Sequence, residues 1–545
     1  SLMARLDRLQ PIKEVAQTAA CIGREFDFSL LSAISTLDEA ALADALEQLA
    51  AAELIYRRGV VPEATYIFKH ALVRDAAYES LLKTRRRAVH ARLAETLEAV
   101  GTAAPELIAY HATEAELLEK AMQYWQLAGE AALARPAYDE AISHLSAAIN
   151  MLGRLPDPTV WQARELQMQV QLAQVFLTRH GYGSESAAAA FERASTLLEA
   201  SGDTKLLVPV SYGRWIGHYL RGEHNAGSEL GERLVAVVDK REDAVARLVA
   251  HRLLAASLIA LGRQRQANEQ LNVSLDLYSP ELTVNFANRF AQEPGVQIKA
   301  YLVFNLWLLG YPDQAAEHAI TSRAAAMEID HVNTTCYGAW HWSVMWELAR
   351  NTAQADECNS IAFDLGTQHQ LQTWQEYAGS GDALTKSRNG DPGAIQLMDD
   401  RLGGYIAHGH WLMVPYFRML QANELLRLGQ HDSARAVIRD AYDVIARTKE
   451  CWTQPELHRL EGEIDVLQDN HASAEANFLK AIDVARQQDA KSWELRATMS
   501  LAQLWAAQGE RRKARDHLQP VYDWFTEGFE TADLCDSRQL LGELR

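Results

Sequence analysis

His408 and His410, separated by Gly409, are the nearest approach to a metal-ligand pair in this chain. Zinc sites need three or four ligands at recognisable spacing. No Cys or acidic residue accompanies these two in such a pattern, so they read as a helix end or loop. HExxH, GxSxG and EF-hand patterns are missing, and so is any Gly-Lys dipeptide, which excludes a phosphate-cradling Walker A loop. No catalytic residue, metal ligand or cofactor is therefore expected, and the chain is not expected to be an enzyme. Two groups suited to binding remain. Arg85, Arg86 and Arg87, after Lys83 and before Arg92, form a concentrated basic run able to grip phosphates or dock on an acidic surface. Trp340, Trp342 and Trp346 crowd one short stretch, with Trp374, Tyr405 and Trp411 downstream, and aromatics in such number suit a groove for a protein segment or a small ligand.

The aromatic stretch must be helical. At 100° per residue, Tyr337, Trp340, Val344 and Leu348 share one side, and Trp342, Met345, Trp346 and Ala349 form another. Two apolar sides imply contact in two directions. A central helix packed before and behind explains this, and so does a helix with one side lining a groove.

A forty-residue repeat supplies the scaffold. Gly462, Ala474, Phe478 and Ala481 return as Ala502, Ala514, Leu518 and Val521, the small-and-large code of tetratricopeptide-like helical hairpins. Trp125, Ala128, Gly129 and Ala132, followed by Ala141, Leu145 and Ala148, match the same code best. Further hairpins are predicted at 206–239, 243–278, 296–328, 337–366, 394–407 with 411–428, and 432–447. Their turns fall at Gly222, Gly262, Gly310 and Gly429. The expected fold is mainly α, a solenoid over 105–545 with a break near 378–393, where Gly379, Gly381, Gly390 and Pro392 cluster.

Residues 1–100 differ. Helical patterns at 2–10, 12–22, 29–35 and 39–52 precede two β-prone runs, Leu54 to Tyr56 and Thr65 to Phe68, around Gly59 and Pro62. That is the order of a winged helix, with strand expected only between residues 53 and 69. The first hundred residues carry a net charge of −1, against −19 for the whole chain. So acidic a remainder disfavours nucleic acid as partner. Five widely spaced cysteines without a CxxC pair suggest neither disulfide framework nor zinc site and fit a cytoplasmic location, and the longest apolar run, 300–309, is too short to span a membrane.

Three stretches resemble a known family. Gly23-Arg24-Glu25-Phe26 with Phe68 to Tyr78, Leu306 to Ala315, and Glu494-Leu495-Arg496-Ala497 with Trp524 to Leu534 are similar to segments of bacterial signal-transduction ATPases with numerous domains, many of them fused to class III adenylate or guanylate cyclases. The resemblance implies a sensor region whose solenoid recognises a protein or small ligand. It also implies that the winged helix relays that event, with Arg85, Arg86 and Arg87 facing an ATPase module placed before Ser1. ATP and Mg²⁺ would belong to that module. A DNA-binding regulator of the same ATPase class and a free-standing scaffold are the alternatives.

Overall fold

The computed structural model describes residues 12–135, 137–180, 184–201, 206–281 and 292–545. The helical pattern at 2–10 lies outside them. The chain divides into two compact units, one of residues 1–181 with 185–203 and one of 204–545 with 182–184.

The first unit opens with α1 (Lys13–Ile22), β1 (Glu25–Asp27), α2 (Phe28–Ile34) and α3 (Glu39–Ala51), then β2 (Ile55–Arg58) and β3 (Thr65–Phe68). The predicted hairpin is present, yet strand is not confined to 53–69. β1 pairs antiparallel with β3, giving the order β1-β3-β2, with Phe26 opposite Tyr66 and Ile55 opposite Phe68. The third strand escapes a periodicity reading because it contributes one buried residue, Phe26, between exposed Glu25 and Asp27. That ring stacks 5.7 Å from Tyr66 and fixes the register. Helices α4 (Ala71–Glu79) and α5 (Lys83–Val100) follow, then α6 (Pro105–Glu114), α7 (Leu118–Ala134), α8 (Tyr138–Gly153), α9 (Gln162–His180) and α10 (Glu185–Ser201). In the α7/α8 hairpin a Cβ on Gly129 would come within 2.8 Å of Leu145, so the small-and-large code operates here.

The second unit is a tetratricopeptide-like stack of eight helix pairs among the described residues. They are α11/α12 (Leu207–Leu220, His224–Val238), α13/α14 (Ala244–Ala260, Gln264–Asp276), α15/α16 (Pro294–Leu309, Pro312–Ile329) and α17/α18 (Val332–Leu348, Thr352–Gln368). After them come α19/α20 (Gln372–Arg388, Ala394–Ala407), α21/α22 (Val414–Arg427, His431–Thr448), α23/α24 (Gln454–Leu467, His471–Gln487) and α25/α26 (Lys491–Ala507, Arg511–Tyr522), closed by α27 (Ala532–Glu543). The break expected near 378–393 is a helix as far as Arg388. Gly379 and Gly381 sit inside α19, and a Cβ on Gly381 would reach within 2.4 Å of Asn359 Oδ1, so glycine there permits close helix packing. Missing that helix shifted the pairing by one. Helix 394–407 pairs with α19 rather than with 411–428, and α21 pairs with α22. The predicted turn glycines 222, 262, 310 and 429 all adopt positive φ.

Hydrogen bonds tie the early pairs to the chain four or five pairs later. The carbonyl of Leu220, ending α11, accepts from the N–H of Trp411 at 2.7 Å and of Leu412 at 3.2 Å; that of Ala260, ending α13, accepts from Cys451 N–H at 2.9 Å. Trp307 C=O in α15 accepts from Ser492 Oγ at 2.5 Å, and Leu348 C=O in α17 from the Arg496 guanidinium. Helix-end carbonyls have no partner within their own helix. Here the next superhelical turn satisfies them. The first helices α13, α15 and α17 are accordingly buried on nearly every side rather than along one stripe: all of α15 except Lys299 is enclosed.

The repeat code also fixes a test. A Cβ on Gly462 would lie 2.4 Å from Phe478, whereas the next repeat pairs Ala502 with Leu518. Gly462→Ala is expected to destabilise the chain by about 1–3 kcal/mol in denaturant titration. Adding Phe478→Leu, the neighbour's combination, should recover a large part of that loss. Additive losses would refute the pairing.

Candidate functional site

Two of the cavities that the described helices of the second unit leave between them stand out by their lining. The upper chamber is aromatic. Tyr212, Trp215 and Tyr219 of α11, Tyr301 and Phe304 of α15, Tyr337, Trp340 and His341 of α17, and Trp374 and Tyr377 of α19 wall it, with Leu412 and Met413 below. Its volume is about 80 Å³, several times the ~10–15 Å³ that one water needs. The rings brace one another: Tyr337 stacks on His341 at 4.3 Å, Trp374 meets Tyr337 edge-on at 5.7 Å, and Trp215 stacks on Tyr219 at 4.5 Å. Polar tips are tied back, Trp215 Nε1 donating to Ser257 Oγ at 2.9 Å and Trp374 Nε1 to Asn333 Oδ1 at 2.5 Å. Burial holds His341 down to about 4, so it is neutral at pH 7.

The lower chamber is charged and larger, about 460 Å³. Arg350, Arg388, Arg459 and Arg496 face Glu347, Glu456, Glu463, Asp533 and Asp536 across it. Every one of these arginines is paired. Arg459 holds Glu456 at 2.8 Å and Glu463 at 3.0 Å, Arg496 holds Asp533 at 2.8 Å, Arg350 holds Asp536 at 2.6 Å and Arg388 holds Glu347. Burial would raise the Glu456 carboxyl, but Arg459, with Arg496 and Arg350, outweighs it and holds the group below the usual carboxylate range.

The predicted aromatic residues divide between these places. Trp340 and Trp374 line the upper chamber. Tyr405 stands behind its wall, its hydroxyl donating to Leu412 C=O at 2.9 Å and accepting from the Tyr377 hydroxyl at 2.8 Å. Trp342 is 1% exposed and folds against its own helix, where a Cβ on Gly338 would lie 2.5 Å from the indole. It is core, not groove. Trp346 is half-buried and packs on the hydrophobic core, and Trp411 lies at the turn-to-turn contact under the Arg447 guanidinium, 3.7 Å from the ring centroid. Sequence reading missed Tyr212, Trp215, Arg252, Tyr301 and Tyr337. One signal was available: Arg252 interrupts an otherwise apolar stretch of α13 that has no solvent side on which to place it.

The basic run does not form one face. Arg85 pairs with Glu14 at 2.8 Å, Arg87 pairs with Glu116, and Arg86 turns inward, its guanidinium 4.2 Å from the Tyr78 ring centroid. His408 and His410 approach opposite oxygens of Glu376, at 2.8 and 3.6 Å. Among the described residues no group of three His, Cys, Asp or Glu could hold a metal, and no helix is long and apolar enough to cross a membrane.

No family model matches the chain. It is 24% identical over 523 residues to an uncharacterized protein of Rhizobium meliloti strain 1021, covering 92% of this chain and 50% of that one. The chain thus spans about half the length of the curated relative it matches. Among solved structures it is similar to the Cut9–Hcn1 hetero-tetramer (10% identity, 85% and 86% of the two chains, TM-score 0.38), a human IFIT1 dimer (12%, 74% and 91%, 0.37) and yeast Tom70 (11%, 85% and 96%, 0.32). At TM-scores this low the fold is defined by the chain's own helix pairing and not by these likenesses.

A pH dependence follows from the buried imidazoles. His341 in the second unit, and His90 and His111 in the first, whose Nδ1 atoms lie 2.8 Å apart, are each held near 4 by burial. The unfolded chain takes up these protons at its ordinary, higher value. Their contribution to stability is therefore complete above about pH 6.5 and is lost as pH falls towards 4. Thermal melts should fall across that window, less steeply for His341→Asn. A melting temperature flat between pH 7 and 4.5 would contradict the assignment.

Proposed function

We propose that this chain is the recognition and relay region of a multidomain signal-transduction ATPase, one of the kind that controls a nucleotidyl cyclase. In this reading the superhelical second unit senses a ligand or protein. The helices and three-stranded sheet at the start of the first unit act as a winged-helix-like relay to a nucleotide-binding module elsewhere in the protein.

The observation that carries the sensing role is the aromatic chamber, a cavity lined by five successive first helices. A ligand there touches several hairpins at once and can favour one superhelical arrangement over another, the differential contact that coupling requires. The resemblance at residues 23–26, 68–78, 306–315, 494–497 and 524–534 supports the ATPase link. The pairing of Arg85 with Glu14 and of Arg87 with Glu116, and the inward turn of Arg86, weigh against the DNA-binding alternative.

The test is ATP turnover. The purified chain is expected to hydrolyse no ATP, having no phosphate loop, while protein extended to include the sequence encoded before Ser1 should contain such a loop and turn ATP over. An upstream sequence without a phosphate-binding loop, or ATPase activity that stays with this chain through purification, would overturn the proposal.

A further inference from the structure

Among the described residues one interior charge, that of Arg252, has no counter-charge. Arg252, on α13, is 1% exposed and faces the aromatic chamber. Its Nε and Nη2 have no hydrogen-bond partner, and its guanidinium lies 5.8 Å from the Tyr212 ring centroid. Among the described residues no carboxylate lines the chamber. Glu450, below Met413, is occupied elsewhere: it accepts from the Met413 N–H at 2.9 and 3.1 Å and from Trp452 Nε1 at 3.1 Å. The contrast with the lower chamber is direct, because all four arginines there hold carboxylates.

A guanidinium cannot escape burial by losing its proton. Enclosing it unpaired opposes folding, and an anion within the chamber removes that opposition. Nε and Nη2 are the two parallel donors along one edge of the guanidinium fork, the edge that receives both oxygens of a carboxylate. Around it the walls offer flat rings, and His341 is neutral, so Arg252 is the one cation among the described lining residues. One cation and an apolar wall match a single negative charge on a flat apolar body. They do not match a phosphate dianion, which needs several donors or cations.

We propose that the aromatic chamber binds a small monocarboxylate with a planar apolar body, its two oxygens on Nε and Nη2 of Arg252 and its body among Trp215, Tyr301, Tyr337 and Trp374. This names the ligand class for the sensing role proposed above, and it does not depend on the ATPase link. The two are distinguished experimentally, one by ligand-induced stabilisation of this chain and the other by ATP turnover.

The experiment is a thermal melt of the full chain, with tryptophan fluorescence as a second readout. The probes are phenylacetate and indole-3-acetate, with phenylacetamide as neutral isostere and inorganic phosphate as small anion. Either carboxylate at about 10 mM is expected to raise Tm by roughly 2–5 °C and to change the fluorescence, while phenylacetamide and phosphate do neither. Arg252→Met should abolish the response and leave the ligand-free chain melting at or above the wild-type temperature, since the unpaired charge is gone. Arg252→Lys serves as a second variant, keeping the charge but losing the paired edge, and should weaken binding about tenfold or more. No response to either carboxylate, an equal response to phenylacetamide or phosphate, or an undiminished response in either variant would overturn the proposal.

Discussion

The carboxylate of Glu527 sits on the N-terminus of a helix more than two hundred residues before it. It accepts from the N–H groups of Asp313 and Gln314 at 3.0 and 3.1 Å, and Asp313 answers by accepting from the N–H of Gly528 at 2.8 Å. A helix start offers donors that its own turn cannot use and a partial positive charge, so an anion there is stabilising by about 0.3–1 kcal/mol. One such contact is modest. It is the last of a series that includes Leu220 with Trp411, Ala260 with Cys451 and Trp307 with Ser492, and together these close the second unit on itself. Repeat proteins ordinarily couple each unit to its neighbours alone. Here a hairpin is coupled to its neighbours and also to the hairpin four or five places on.

Closure explains the composition of the first helices. A helix exposed on one side would keep a polar stripe, but α13, α15 and α17 face neighbours before and behind, their own second helices and the following turn. It also creates the chambers. Met413 and Leu412, brought beneath α11 by the Leu220 bonds, floor the aromatic one, and α27 brings Asp533 and Asp536 to Arg496 and Arg350 in the charged one. Glycines at the turns serve twice in this arrangement. Gly310 adopts positive φ and leaves no room for a Cβ beside Trp524 at 2.7 Å, whereas Gly429, with no later turn against it, has positive φ and open space.

The local half of this architecture was legible in the sequence. Helix periodicity, the forty-residue code and the turn glycines are set by interactions between residues close in the chain, and each marked its place. The pairing of α19 was not, because Gly379 and Gly381 imitate a loop signal when their purpose is close packing. The closing bonds at Leu220, Ala260, Trp307 and Leu348 were hidden for a different reason: their acceptors are main-chain carbonyls, which leave no trace in residue type. The stretches 306–315 and 524–534 stood out separately in the sequence, and it is the structure that shows them touching, through Asp313, Glu527 and Gly528. Of the site, Trp340 and Trp374 were found by counting aromatics, while Trp342 was misled into the same list by its neighbours. Arg252 was passed over because a single arginine in a helix ordinarily reaches solvent.

Amide hydrogen exchange on the full chain tests closure most directly. The N–H groups of Trp411 and Cys451 precede helix starts and have no acceptor within their own hairpins, so their protection reports the bonds to Leu220 and Ala260 alone. Closure predicts that both exchange as slowly as interior helix amides of α21 and α23, and that Glu527→Ala speeds exchange at Asp313 and Gln314. Trp411 and Cys451 amides exchanging at the rate of an open loop would contradict it.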